Sequence, residues 1–230
     1  ISKSLRQEKK FDELMHEQDN MSGLLNSYGP HEGANQTTRE IHHMVKNNIQ
    51  MVASLLSLQS RKSSNAEVKK ALQETISRVL SIASVHEMLL NTVDGKYVSL
   101  KLLLDKIRLN ALSLVGSDKD ITISVYGDDL RVEAAKATSI ALVANELVTN
   151  SLKYAFTDID SGRIDITVKS GNLYSTISVE DNGKGFNFYD WNRESLGLSL
   201  ANLTVKDKLN GDLRFSSDSS GTKIMFDFKM

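Results

Sequence analysis

Two runs of helical periodicity between residues 37 and 91 constrain the fold of this chain most strongly. Apolar residues of the first run recur on one broad face from Ile41 to Leu58, and those of the second keep heptad spacing from Val68 to Leu89. The segment RKSSN separates the runs, so we predict an antiparallel helical hairpin. One hairpin has too little mass to bury two wide apolar faces. We therefore expect two copies to form a dimeric four-helix bundle, unless both helices pack on the rest of this chain.

Capping motifs predict where the two helices begin. Thr37 with Glu40, and Ser64 with Glu67, have the spacing of a capping box, in which two side chains satisfy free backbone N–H groups. We place the hairpin domain at residues 37–95.

Residues 1–36 are predicted to form a helix and a loop. A short heptad seam from Phe11 to Tyr28 fits a coiled-coil helix entering from an upstream domain as well as a helix packed on its own chain. Pro30, the only proline, then interrupts the pattern. Because the chain begins at Ile1 rather than at methionine, we expect a fragment whose upstream sensor domain is missing.

The pattern changes near residue 96, where helical and alternating runs begin to mix. DITISVYG alternates as a strand, GRIDITVKS and NLYSTISVEDNG predict a strand pair, and DLRFSSDSSGTKIMFDFK predicts a closing hairpin. The intervening segments are helical, including the long apolar run AAKATSIALVANELVTNSLKYAF. Strands on one side and helices on the other predict a two-layer α/β sandwich over residues 96–230, which makes the whole chain α+β.

Composition excludes several classes of function. The net charge of −1 argues against nucleic acid as a partner and against a polybasic membrane patch. The absence of cysteine excludes disulfides, thiolate metal sites and a cysteine nucleophile. No apolar run approaches the roughly 18 residues that span a bilayer. We expect a cytoplasmic fragment without direct membrane contact of its own, either free or as the cytoplasmic part of a larger or membrane-attached sensor.

The second half also carries motifs of a nucleotide site. In VEDNGKGF, Asp181 ends a strand and can accept a hydrogen bond from an exocyclic amine such as that of adenine. Gly183 and Gly185 allow the backbone to approach a ligand closely. Gly197, in SLGLSLAN, lies at a predicted helix N-terminus, where free N–H groups favour phosphate.

A polar stripe on an apolar helix adds to this pattern. Glu146, Asn150 and Lys153 follow one another at i, i+4 and i+7 in NELVTNSLKYAF. Asn150 offers an oxygen ligand suited to Mg²⁺, and Lys153 offers a positive charge for phosphate. Each residue alone fits a solvated helix face, but the motifs in this order indicate a nucleotide site.

In combination the motifs resemble the ATP-binding domain, of Bergerat or GHKL type, that gyrase, the Hsp90 chaperone, histidine kinases and MutL share. NELVTNSLKYAF resembles the N box, DNGKGF the G1 box, SLGLSLANL the G2 box, and SGTKIMFDF the closing Gly-Thr strand. The resemblance implies ATP and Mg²⁺ as cofactors, with residues 186–196 as the ATP lid. The residues it implies in binding are Glu146, Asn150, Lys153, Asp181, Gly183, Gly185, Gly197 and Thr222.

The same resemblance implies a role for several of these residues. Asn150 would bind Mg²⁺, and Asp181 would read adenine, supported by Thr222 through a water. The three glycines would shape the phosphate loop.

The hairpin resembles the dimerisation and phosphoacceptor hairpin of sensor histidine kinases of the HHRVKNN subgroup, which is close to the HWE type. REIHHMVKNNIQMVASLLSLQ and SRVLSIASVHEMLL carry this resemblance. It implies a homodimer and a response-regulator receiver domain as partner. Met44 departs from the pattern, because an arginine usually follows the second histidine. If that arginine assists phosphotransfer or docking of the partner, its absence affects the efficiency of that step.

Helical phase selects between the two adjacent histidines. His43 points about 150° away from the apolar face, whereas His42 lies on its flank. We therefore predict that His43 is phosphorylated and that His42 packs, as does His86 on the seam of the second helix. Glu40 could accept the Nδ1 proton of His43, and Asn47, one turn later, could hold a phosphoryl oxygen.

The sequence thus predicts a sensor histidine kinase fragment that phosphorylates its own histidine with Mg-ATP and passes the phosphate to an aspartate of a response regulator. The transfer step rests on the resemblance alone. Two alternatives remain open. One is a GHKL-type ATPase acting as a conformational machine, with Glu146 activating water. The other is a degenerate kinase that only dimerises and docks partners.

Overall fold

A computed structural model describes residues 32–92, 96–113, 115, 119–157, 159–185 and 196–230. The helix predicted over residues 11–28 lies outside this part, as does the predicted ATP lid apart from its last residue. In chain order the elements are α1 (Glu32–Lys62), α2 (Ala66–Leu90), β1 (Tyr97–Ser99), α3 (Leu100–Leu112), β2 (Asp120–Gly127), β3 (Arg131–Glu133), α4 (Ala134–Asn150), a π-helical turn (Ser151–Ala155), β4 (Ser161–Lys169), β5 (Tyr174–Asp181), α5 (Leu196–Leu209), β6 (Leu213–Asp218) and β7 (Gly221–Lys229).

The chain divides into two compact units, residues 1–41 and 42–230. The first is described only from Glu32, as the N-terminal part of α1. The domain limits predicted at residues 36 and 95 stay predictions.

Both predicted helix caps are wrong in position. Helix α1 begins at Glu32, so Thr37 lies inside the helix and not at its N-cap. Gly33 does not prevent this, because a glycine in a helix costs only about 1 kcal/mol relative to alanine. Helix α2 is capped by Asn65 rather than by Ser64, and the Asn65 side chain accepts hydrogen bonds from the backbone N–H groups of Glu67 and Val68. Asparagine is at least as good an N-cap as serine.

The predicted helical hairpin is present in the second unit. His42 on α1 contacts His86 on α2, and Lys46 forms an ion pair with Glu87 at 3.5 Å. These contacts join the N-terminal part of α1 to the C-terminal part of α2, so the two helices run antiparallel.

The predicted two-layer sandwich is confirmed. Five strands form a sheet in the order β2-β4-β5-β7-β6, in which β2 and β4 are parallel and the other neighbours are antiparallel. Side chains alternate along β7, where Thr222, Ile224, Phe226 and Phe228 are buried and their neighbours are less so. This alternation gives the sheet one apolar face, and α3, α4 and α5 contribute the buried apolar side chains packed with it in a single core.

Two short features were absent from the sequence prediction. Strands β1 and β3 form an antiparallel ribbon, and the helices α3 and α4 follow them directly. The long helix predicted through Phe156 changes from α to π geometry after Asn150. Helix-forming residues continue through the change, so composition gives no sign of it.

No helix in the described part of the chain is long and apolar enough to cross a bilayer.

Candidate nucleotide and phosphoacceptor sites

Asp181 is the centre of the predicted adenine end of the site. It lies at the last position of β5 and is 5% exposed. Its Oδ1 atom accepts hydrogen bonds from the backbone N–H groups of Gly183, at 3.1 Å, and Thr222, at 3.2 Å. The loop after β5 and the start of β7 therefore both hold this carboxylate in one orientation.

Ser151 is the residue of this site that the sequence prediction missed. Its hydroxyl donates to Oδ2 of Asp181 at 2.7 Å. The only sequence signal is its place directly after Asn150, and a serine in a helix is usually unremarkable. The contact links the end of the N-box helix to the end of β5.

Thr222 reaches Asp181 through its backbone. Its hydroxyl instead contacts the hydroxyl of Ser217 on β6 at 2.9 Å. The predicted contact of Thr222 through a water stays a prediction, beside this direct N–H bond.

The loop after Asp181 needs glycine at Gly185. Its φ is +66°, in the left-handed region, and an added Cβ would lie 1.8 Å from the backbone oxygen of Asp218. An added Cβ at Gly183 would lie 2.4 Å from the Cβ of Ala155, at the end of the π turn. The loop with Gly183 and Gly185 thus packs between the π turn and the end of β6, and a side chain at either glycine would displace it.

Asn150 carries a buried polar atom suited to a ligand. The nitrogen of its side-chain amide, a hydrogen-bond donor, is buried and has no hydrogen-bond partner among the described residues. Buried polar groups without partners are uncommon in folded proteins. The described residues contain no cluster of three acidic, histidine or cysteine side chains able to hold a metal. The donor nitrogen suits an acceptor such as a phosphate or water oxygen, and Mg²⁺ would take the amide oxygen of Asn150, because it binds oxygen ligands and few of them come from protein.

Glu146 is engaged by the hairpin. Arg78 on α2 donates to Oε1 at 2.7 Å and to Oε2 at 2.8 Å, a bidentate pair in which the Glu146 side chain is 7% exposed. The hydrogen bond with Glu146 raises the pKa of Arg78 above its usual value, against the opposing effect of burial. Oε2 of Glu146 also lies 2.3 Å from where a Cβ on Gly197 would be, so only glycine fits at this start of α5.

Lys153 is paired as well. Its ammonium group lies 2.7 Å from Oε1 of Glu74 on α2, and both side chains are about one-quarter exposed. The predicted polar stripe is therefore divided: Glu146 and Lys153 contact α2, while Asn150 lies between them in sequence with a free amide nitrogen.

The two adjacent histidines differ in their surroundings. His43 is exposed, whereas His42 is half-buried. The Nδ1 atoms of His42 and His86 are 3.1 Å apart, with ring centroids 5.3 Å apart. Burial lowers the pKa of His86, and the charge of His42 lowers it further. This arrangement agrees with the helical-phase argument, in which His42 and His86 pack and His43 faces solvent.

The other predicted catalytic side chains are also at the surface. Asn47 is exposed, four residues after His43 on α1, and Glu40, in the first unit, is exposed too. Within the described part of the chain, no hydrogen bond or ion pair joins His43 to the nucleotide-site residues. Among the described residues, His43 and the predicted nucleotide-site residues are therefore not joined by a polar contact.

Comparisons with known proteins agree with both halves of this picture. The histidine kinase family matches residues 40–115, and the family of histidine kinase-, DNA gyrase B- and HSP90-like ATPases matches residues 135–230. The sensor histidine kinase PdtaS of Mycobacterium tuberculosis is 38% identical over 180 residues, which cover 77% of this chain and 36% of that protein. A blue-light-activated histidine kinase of Erythrobacter litoralis is 26% identical over 199 residues, covering 83% of this chain and 56% of the relative.

A solved histidine kinase domain from Erythrobacter litoralis has the same fold. It superposes with a TM-score of 0.61 at 23% identity and covers 84% of this chain and 93% of that domain. The chain belongs to the sensor histidine kinases of the HWE-related group, with a GHKL-type ATP-binding domain, as the sequence motifs predicted. It spans little more than one-third of the length of its mycobacterial relatives.

Proposed function

We propose that this chain is the kinase core of a sensor protein, that it transfers the γ-phosphoryl group of Mg-ATP to His43, and that the phosphate then passes to an aspartate of a receiver domain. The observation that carries the proposal is the contrast between the two histidines. His43 is exposed on a hairpin that precedes an ATP-binding domain, while its neighbour His42 is held by His86.

The transfer needs a neutral imidazole and an in-line approach. Nε2 of His43 attacks the γ-phosphorus, a new N–P bond forms, and the bond from that phosphorus to the bridging oxygen of ADP breaks. Glu40 accepts a hydrogen bond from Nδ1–H and takes up the proton that the ring loses. Asn47, one helical turn on, donates to an oxygen of the phosphoryl group. The receiver aspartate is the expected acceptor of the second step.

Binding of ATP is assigned to the residues of the sandwich. The Asp181 carboxylate accepts a hydrogen bond from the adenine amine, and Lys153 faces the phosphates once it leaves Glu74. Asn150 would hold Mg²⁺, which supplies positive charge to the phosphate oxygens when bound. Gly183, Gly185 and Gly197 let the backbone come close to the ligand.

The conformational ATPase is the second candidate, and the surroundings of Glu146 argue against it. A water-activating base needs a carboxylate oxygen that can accept a proton. Both oxygens of Glu146 accept hydrogen bonds from Arg78, so an attacking water would have to compete with a bidentate, charge-assisted pair for this carboxylate. This arrangement supports the kinase over the ATPase.

Incubation with γ-labelled ATP and Mg²⁺ separates the candidates. A kinase gives labelled protein whose phosphate is lost in acid and retained in base, as expected of an N–P bond. An ATPase releases labelled inorganic phosphate without labelled protein, and a docking module does neither. Either of the last two outcomes would contradict the proposed kinase.

A homodimer is part of the proposal. Large apolar side chains on the hairpin are between 36% and 50% exposed in the single chain: Val52, Leu55, Leu58, Val68 and Leu80. Of the interface residues expected from the heptad pattern, Val52 is exposed and the others are half-buried, namely Val45, Leu56, Leu72, Val79 and Ile82. A second hairpin would cover these side chains in a four-helix bundle.

Val52→Glu should therefore convert a dimer into a monomer. In the single chain the new carboxylate would face solvent at little cost, but in the bundle it would be buried at a cost of several kcal/mol. Light scattering should report half the mass of the unmodified protein. Ser54→Glu, an exposed position two residues on, is the matched control and should remain dimeric. A monomeric unmodified protein would contradict the bundle.

The cytoplasmic location stays a prediction.

A further inference from the structure

Three polar contacts connect one face of α2 to the helix that carries the ATP-site residues. Arg78 pairs with Glu146, Glu74 pairs with Lys153, and the hydroxyl of Ser77 donates to Oδ1 of Asn145 at 3.1 Å. We propose that the face formed by Glu74, Ser77 and Arg78, here termed the latch, is an autoinhibitory contact that competes with the triphosphate of ATP. The inference rests on the proposed function, because it requires that nucleotide binds this site.

The Glu74–Lys153 pair is the part of the latch that ATP must break. Lys153 is the cation assigned to the phosphates, yet Glu74 holds its ammonium group at 2.7 Å. Both side chains are about one-quarter exposed, so solvent screens the pair and its net stabilisation is small. A triphosphate carries several negative charges and competes effectively with a single carboxylate for this lysine. The pair therefore lowers ATP affinity without preventing binding.

The Arg78–Glu146 pair occupies the other end of the latch. It is more buried than the first pair and bidentate, so it is the firmer of the two contacts. Oε2 of Glu146 lies against Gly197, at the start of α5, where the helix dipole favours an anion. The sequence predicts phosphate at Gly197, and the Glu146 carboxylate, which Arg78 of α2 holds in position, lies beside it. Arg78 keeps that carboxylate, and with it the latched arrangement, in place.

The latch couples ATP binding to the attachment of α2 to the ATP-binding domain. In the latched state, the second helix of the hairpin is fastened to the ATP-binding domain, while His43 on the first helix has no polar contact with the nucleotide site in the described part of the chain. When Lys153 exchanges Glu74 for phosphate, one of the three contacts is lost and α2 is held less tightly. Because such coupling is reciprocal, a change in the hairpin that separates Glu74 from Lys153 must also raise ATP affinity by the same factor. An upstream signal that moves the hairpin would act through this pair.

The test compares Glu74→Gln with Glu67→Gln. Both variants remove one negative charge from α2, but only Glu74 contacts Lys153, and Glu67 is exposed in the first turn of the helix. Titration calorimetry with Mg-ATP should show roughly fivefold or more tighter binding in Glu74→Gln, the lower range for coupled sites, and little change in Glu67→Gln. The initial rate of His43 labelling at ATP concentrations below saturation should rise in the same variant.

Glu74→Asp separates contact from general charge, because it keeps the charge but shortens the side chain by one methylene. If Glu74→Asp also binds ATP more tightly, the contact with Lys153 is responsible, which supports the latch. If only Glu74→Gln binds more tightly, the effect comes from the negative charge at a distance and the contact model is overturned. Binding that is equal or weaker in Glu74→Gln, with an unchanged melting temperature, would also overturn it. If the unmodified protein fails to bind Mg-ATP, the proposed function fails first, and this outcome is distinct from normal binding with no effect of Glu74.

Discussion

His43→Gln should abolish the incorporation of label from γ-labelled ATP and leave ATP binding unchanged. Glutamine has no nucleophilic nitrogen, so no N–P bond can form. The side chain is exposed and outside the core, and substitutions at such positions change stability by about 0.5 kcal/mol or less. Label is measured on the intact protein after denaturation at alkaline pH, and ATP binding by calorimetry.

His42→Gln is the matched control, one residue away on the same helix. It removes the contact with His86 and should slow labelling without abolishing it, because a shift of the helix affects the position of His43. Label that persists in His43→Gln and vanishes in His42→Gln would show that the helical-phase argument is wrong. The kinase assignment would survive that result.

Asp181→Asn should weaken ATP binding sharply. The carboxylate accepts two backbone N–H bonds on one oxygen and the Ser151 hydroxyl on the other. An amide replaces one acceptor oxygen with an NH₂ group, which leaves at least one of these donors, or the adenine amine, without a partner. Loss of a buried hydrogen-bond partner costs about 1–3 kcal/mol, which corresponds to a roughly 5- to 150-fold loss of affinity.

Ser151→Ala provides the comparison. It removes one donor from the same carboxylate but leaves both oxygens free to accept, so the loss of affinity should be smaller. Melting temperatures of both variants identify any general loss of folding. Unchanged calorimetric affinity in Asp181→Asn would remove the adenine assignment.

Elements with strong periodic patterns could be predicted from the sequence. The strand DITISVYG coincides with β2, and the closing hairpin coincides with β6 and β7, because alternation along a strand with one buried face is a strong signal. The positions of two predicted site residues in the fold agree with the motif, since Asp181 ends β5 and Gly185 has a positive φ, while their roles stay predictions. Asp181 and Gly185 depend on local backbone geometry, which a short motif encodes.

Contacts between distant segments could not be predicted in this way. Arg78 and Glu146 are 68 positions apart, and in the sequence each is a polar residue on an amphipathic helix. Nothing in either segment indicates that α2 packs on α4 or in which register. The prediction of the α2 N-cap was wrong for another reason. Ser64 and Asn65 both have side chains that can cap a helix, and only the path of the backbone decides which of them does so.

The π turn at Ser151–Ala155 also fixes the length of this segment. Its hydrogen bonds span five residues where those of an α-helix span four, so the turn holds about one residue more than a regular helical turn. Deleting one residue here would restore a regular helix and rotate everything beyond it by about 100°. Ser151 contacts Asp181 at the start of the turn, and Ala155 packs against Gly183 at its end. The rotation would move one of these residues relative to the other, so the two contacts would not both survive. The fold in this segment therefore depends on the number of residues as well as on their identity, and a substitution at exposed Tyr154 should be tolerated far better than a change in length.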